Sequence, residues 1–122
     1  MSKTALILFA HGARDPGWAA PMHRVREAIR SKKPDLRVEL AFLEFMTPDL
    51  HQCAEAMAQA GYSRIVILPM FIAQGGHLKR DVPILIDNLR QHYPQVDFVL
   101  SCAAGEAEPV VQAMAEHVLA LS

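Results

Sequence analysis

The sequence predicts an open, four-stranded parallel α/β sheet with helices on both faces and strand order 2-1-3-4. Three observations carry this expectation. Apolar runs at Ala5–Ala10, Val38–Leu43, Ile65–Ile72 and 97–102 each lead into a stretch with helical spacing, the strand–helix repeat of parallel sheets, which takes about 30 residues or more per unit. The runs are apolar at nearly every position instead of alternating, as strands covered on both faces are. Finally, His11, Glu44 and His77 stand at equal offsets, each 33 residues after the last and each at or just past the end of a run. Equal offsets in successive units place all three on one edge of the sheet, the carboxyl edge, where open α/β sheets bind ligands.

Each element follows from local chemistry. The first strand covers about Thr4–Ala10, and a loop punctuated by Gly12, Pro16 and Gly17 follows it. A helix over about Pro21–Ser31 turns Met22, Val25 and Ile29 inward, and Pro34 stops it. The second strand covers about Arg37–Leu43. Thr47, Pro48 and Asp49 then read as N-cap, first helical position and first-turn acid of a second helix. Its inner face is Leu50, Ala54, Met57 and Ala58, and Gly61 ends it.

The third strand covers about Arg64–Phe71; Pro69 has no N–H to donate, so the end of this strand leaves the sheet. Gln74-Gly75-Gly76-His77 leads into a third helix over about Leu78–Tyr93, with Leu85, Ile86 and Leu89 inward and Pro94 closing it. A fourth strand at about Asp97–Cys102 and a last helix at about Glu108–Leu121 complete a single domain over residues 1–122. Right-handed crossovers with the first strand near the centre give the 2-1-3-4 order. His11 and His77 then leave neighbouring strands about 4.8 Å apart, within reach of one ion, with Glu44 flanking them from the other side.

Composition narrows the function classes. With 12 basic and 13 acidic residues the chain lacks the broad basic face of a nucleic-acid scaffold. A hydrophobic fraction of 52% is high enough to cover both faces of a sheet or to reserve apolar surface for a partner. Cys53 and Cys102 are far apart, without metal or redox spacing, and read as two buried thiols in a reduced setting. The first apolar run is too short to span a bilayer and lacks a cleavage pattern, so the expectation is a cytoplasmic protein with no membrane partner.

Two imidazoles and a carboxylate converging at a sheet edge make a divalent-metal or proton-transfer site. Alone, a histidine after a strand is more often structural; equal placement of two after strands favours function. Glu44 can also cap a helix or face water, and Gly75-Gly76 can be only a turn. His23, His51, His92 and His117 fall inside helical stretches without any pairing rule and read as surface positions.

His11-Gly12-Ala13-Arg14-Asp15-Pro16, Phe42-Leu43-Glu44, Leu68-Pro69-Met70-Phe71 and Gly75-Gly76-His77 resemble the signatures of the small class II tetrapyrrole chelatases, the sirohydrochlorin chelatases of the CbiX/SirB type. The resemblance runs over nearly the whole chain in order and spacing. It implies a chelatase-like, flavodoxin-like half-lobe that inserts Co²⁺, Fe²⁺ or Ni²⁺ into sirohydrochlorin without a nucleotide. The ion is a substrate, and no cofactor is permanently bound. It further implies that His11 and His77 are the metal-binding and catalytic histidines, that Glu44 stands at an acidic site position, and that two copies form a homodimer.

The chemistry accords with these residues. Neutral imidazoles hold such ions and release them, whereas thiolates hold them more firmly. Insertion displaces two pyrrole protons, so a base must reach the macrocycle centre. The carboxylate rim of sirohydrochlorin can meet Arg14, Lys79 and Arg80, or the amides of Gly75 and Gly76 at a helix N-terminus. Phe45 and Met46, or Met70 and Phe71, can support the ring. Two His and one Glu do not separate cobalt from iron or nickel. A carrier that binds metal or tetrapyrrole without turnover would use the same edge. A histidine phosphatase ranks last, because Ala10 and not Arg precedes His11.

Overall fold

The computed structural model describes residues 3–122, so Met1 and Ser2, where the N-terminal targeting argument begins, lie outside the described residues. Four strands, β1 (Thr4–Ala10), β2 (Arg37–Phe42), β3 (Arg64–Pro69) and β4 (Asp97–Leu100), alternate with four helices. The helices are α1 (Ala20–Lys32), α2 (Leu50–Gln59), α3 (Gly76–His92) and α4 (Glu108–Ala120). All strands are parallel, in the order β2-β1-β3-β4. This is the expected architecture.

Register sets the carboxyl edge. Ala10 pairs with Phe42 on one side of β1, and Phe9 pairs with Pro69 on the other. The three strands therefore end level with one another. Met70 N–H still donates to the Phe9 carbonyl at 2.7 Å, after which the chain leaves the sheet, as the proline at position 69 predicts.

The two sheet faces are covered unequally. On one, α2 and α3 bury Ala5, Ile7, Phe9, Ile65, Ile67 and Phe98 under Leu50, Met57, Val82, Ile86 and Leu89. On the other, α1 covers Leu8, Ala10, Val38, Leu40 and Phe42 with Met22 and Ile29 packed against them. Leu6, Val66, Leu68 and Val99 on that second face are only half-buried.

Several local expectations are corrected. Asp49, not Thr47, is the N-cap of α2: its carboxylate accepts from Gln52 N–H at 2.7 Å while the Gln52 side chain accepts from Asp49 N–H at 2.9 Å. That reciprocal pair satisfies two otherwise orphaned donors, which a cap at Thr47 would not do. Val25 of α1 faces solvent, because α1 touches the sheet along a narrow stripe through Met22 and Ile29. Cys102 is exposed, since β4 stops at Leu100 and the thiol lies in the following loop; only Cys53 is buried. Leu85 packs half-buried against the core as expected, and Val82 joins Ile86 and Leu89 as an inward residue that the spacing did not single out.

Candidate functional site

The site is built where β1 and β2 run out. Backbone pairing continues one step past each strand, with Leu43 N–H donating to the Ala10 carbonyl at 2.9 Å and Glu44 N–H to the His11 carbonyl at 3.1 Å. Gly12 makes this possible. It sits at φ +92°, and a Cβ there would stand 1.9 Å from the Glu44 carbonyl oxygen. The missing side chain lets the second loop close over the first and sets Glu44 beside His11.

The two side chains then meet. His11 Nε2 is 3.7 Å from Glu44 Oε1, with the side chains 45% and 47% exposed. His11 Nδ1 lies 3.2 Å from the Gly12 carbonyl. An N–H at Nδ1 donates to that carbonyl and leaves Nε2 as the lone-pair nitrogen, facing the carboxylate and solvent. With a lone pair at Nε2 the contact is no ion pair, and even an ion pair this exposed would contribute only about 0–1 kcal/mol to stability, so the arrangement is not a fold-holding bridge. It is a lone pair and a carboxylate presented to whatever occupies the edge.

The neighbouring loop adds a cation and an aromatic ring. Phe45 takes a left-handed backbone, φ +67°, a conformation that costs a non-glycine residue about 1–3 kcal/mol and is tolerated mainly at functional sites. Its ring is 55% exposed and carries the Arg14 guanidinium 4.9 Å from its centroid. Beyond Arg14 and Phe45 opens a cleft of about 710 Å³ along the free edge of β2, walled by α1 and α2. Arg14, Phe45, Met46, His23, Arg26 and Arg37 are among its lining residues. Its volume lies in the range of small-molecule sites, about 300–1,000 Å³.

The cleft adjoins the His11–Glu44 pair without containing it. The pair has the chemistry and the cleft has the room. Phe45 follows Glu44 directly and Arg14 comes shortly after His11, so the cleft opens where the pair ends. Its other basic residues, Arg26 and Arg37, are engaged with Glu39 of β2, as Arg30 is. Cys53, in the cleft wall, has its thiol pushed up to about 12 by burial and then by the charge of Glu39, and is unreactive at neutral pH.

His77 stands apart. It is exposed in the first turn of α3, where Lys79 N–H donates to the Gly75 carbonyl at 3.0 Å. Among the described residues, no three His, Cys, Asp or Glu side chains lie close enough to share an ion. The structure thus joins His11 to Glu44, and Arg14 to Phe45, and keeps His77 with Gly75, Gly76, Lys79 and Arg80 as a second group after β3. Met46 lines the cleft and packs against the α1-side core.

Sequence reasoning missed Arg26, Arg37 and His23 as cleft residues. The signal was present in Arg37-Val38-Glu39, where charges alternate with apolar residues, the pattern of an edge strand with one face partly open.

The chain is similar to known proteins over nearly its whole length. The model of the CbiX family matches residues 5–121. A sirohydrochlorin cobaltochelatase of Priestia megaterium is 30% identical over 112 residues, which is 88% of this chain and 35% of that protein. A sirohydrochlorin ferrochelatase of the same organism is 32% identical over 115 residues, 93% of this chain and 43% of that protein. The chain thus spans well under half the length of these two curated relatives. A solved structure, a CbiX protein of Marinobacter aquaeolei VT8, superposes with a TM-score of 0.83 at 25% identity, covering 94% of this chain and 93% of that one. With a parallel 2-1-3-4 sheet, a histidine–glutamate pair at its carboxyl edge and a family match from end to end, the chain belongs to the CbiX family.

Proposed function

We propose that this chain is a sirohydrochlorin chelatase, placing a divalent metal ion in the macrocycle with release of two pyrrole protons. The observation that carries the reading is the His11–Glu44 pair at the carboxyl edge, held open to solvent beside the Arg14–Phe45 stack. The names of the relatives supply the substrate class.

Each residue then has a role. His11 Nε2 offers a lone pair to the incoming ion, a donor that binds Co²⁺, Fe²⁺ or Ni²⁺ and lets it go. Glu44 accepts a pyrrole proton, the acceptor lying within a hydrogen-bond length or one water of the macrocycle centre. His77, at the start of α3, serves as the second imidazole on the metal when substrate and ion are present. Arg14, with Lys79 and Arg80, pairs with rim carboxylates, and the Gly75 and Gly76 amides receive another. Phe45 and Met46 lie under the ring. Two copies of this lobe form the working homodimer, in the cytoplasm, with no nucleic-acid or membrane partner. Among the described residues no helix is long and apolar enough to cross a membrane.

Cobalt is the preferred metal in this reading, with iron and nickel as competitors. Cobalt- and iron-named relatives from one organism are similar to this chain to nearly the same degree, so overall identity does not rank the metals and a titration must. The test is anaerobic: sirohydrochlorin and each ion in turn, with and without protein, followed by macrocycle absorbance. The expected result is protein-dependent acceleration, largest with Co²⁺. Tight binding of sirohydrochlorin without acceleration by any ion would make the chain a carrier instead.

A further inference from the structure

Four of the six histidines stand outside the carboxyl-edge groups, and the fold brings two of them together. His51 is exposed in the first turn of α2, and His92 is exposed in the last turn of α3. Their ring centroids are 5.5 Å apart, with the planes edge to face at 84°. The Tyr93 ring backs both, 6.0 Å from His51 and 6.4 Å from His92 between centroids. Tyr93 itself packs against the core beneath α2 and α3, so the two imidazoles sit on an anchored ring at the surface.

That spacing is the one two imidazoles take on a single metal ion. A metal–nitrogen bond of about 2.1 Å, with about 1.1 Å more to the ring centre, puts each centroid about 3.2 Å from the ion; a tetrahedral angle then sets the centroids about 5.2 Å apart. His92 is also prepared as a ligand. Its Nδ1 lies 2.9 Å from the Asn88 carbonyl. An N–H at Nδ1 donates to that carbonyl and leaves the lone pair on Nε2, the kind of contact that fixes ring and tautomer in metal-bound histidines. His51 turns its own nitrogen to the same point by rotation about χ2, a broad torsion in histidine.

The surroundings suit a cation. Glu55 lies one turn after His51 on the same face of α2. The Tyr93 phenol is raised above its ordinary range by desolvation and then by the charge of Glu55, so a negative charge stands beside this group of rings. Among the described residues no third His, Cys, Asp or Glu is close enough to share an ion with the two imidazoles, and water fills the remaining positions. A structural zinc site closes its shell with four protein ligands. Two imidazoles make an open site, from which the ion exchanges.

We propose that His51 and His92 form a second divalent transition-metal site, bridging α2 to α3 and sharing no residue with the carboxyl-edge site. It takes the ions that imidazole favours, Cu²⁺, Ni²⁺, Zn²⁺ and Co²⁺, and not Mg²⁺ or Ca²⁺, which need oxygen ligands. An ion that joins two helices binds the folded chain in preference to the unfolded one, and so raises its stability as the site fills. Rings that only cement α2 to α3 would show no such dependence on metal. The proposal goes beyond the insertion reaction and does not depend on it.

The test uses the full chain carrying His11→Ala and His77→Ala, which removes the imidazoles of the carboxyl edge, and contains no sirohydrochlorin. With one equivalent of Cu²⁺, pulsed electron paramagnetic resonance should show two imidazole nitrogens on the ion. Ni²⁺ at about 100 times its dissociation constant should raise the melting temperature by about 5 °C, and Mg²⁺ should not. Adding His51→Gln or His92→Gln should leave one imidazole on Cu²⁺ and abolish the Ni²⁺ shift. Both positions are exposed, so each variant should melt in EDTA within about 1 °C of its parent. No Ni²⁺ shift in the parent, a single imidazole on its Cu²⁺, or a shift that survives both glutamine variants would each overturn the site. Because binding is read without the macrocycle, a chain that fails to insert metal leaves this result standing, and a chain that inserts metal without the site leaves the chelatase reading standing.

Discussion

Gly12 shows how one missing side chain builds the site. It is buried between the two strand ends, and its left-handed backbone and the Glu44 carbonyl in its Cβ position leave no room for alanine. Gly12→Ala should cost about 2–4 kcal/mol, combining left-handed strain with overpacking, and should displace Glu44 and slow any reaction that uses it. A thermal melt and an insertion assay on the same sample check both effects. The thiols give a second expectation. Burial and Glu39 hold Cys53 as a thiol up to about pH 12, so a thiol reagent at pH 8 should modify Cys102 in the native protein and reach Cys53 only after unfolding. In the sequence, His11 and Glu44 are legible from their equal offset after strands. The reason for Gly12 is not, because its constraint comes from a residue more than thirty positions away. Cys102 reads as buried because its apolar neighbours resemble a strand that in fact ends two residues earlier.

At the scale of elements, the N-terminus of α2 is the sharpest case. Thr47-Pro48-Asp49 satisfies the usual start signal with Thr as cap, yet the helix begins two residues later, where Asp49 and Gln52 cap each other. Asp49→Ala should lower stability by about 1 kcal/mol, and the melting temperature by about 4 °C, while Thr47→Ala should change little. The strands are legible because their apolar runs are continuous and their order follows from crossover handedness. Helix ends and inward faces are less so. Val25 has the right spacing to face the core, but α1 meets an edge strand and touches it along a narrow stripe.

At the scale of the molecule, the parallel sheet sets three strand ends level, two short loops carry His11 and Glu44 together, and the free edge of β2 opens a cleft beside them. Equal spacing in the sequence puts His77 at the same edge as the other two. His77, in the first turn of α3 after β3, stands on that edge, yet among the described residues it does not join His11 and Glu44 in one ion-sized cluster. If it joins the site only with substrate, as proposed above, His77→Ala should weaken the apparent affinity for the metal more than it disturbs the fold, as a metal titration of insertion rate with circular dichroism will register. The central claim is that His11 hands the metal to the macrocycle. It is tested most directly by the initial rate of anaerobic Co²⁺ insertion into sirohydrochlorin by His11→Ala against wild type, on samples with matched melting curves. The expected loss is at least about 100-fold, the lower end of what a positioned catalytic group contributes; a variant that inserts cobalt within two-fold of wild type would contradict it.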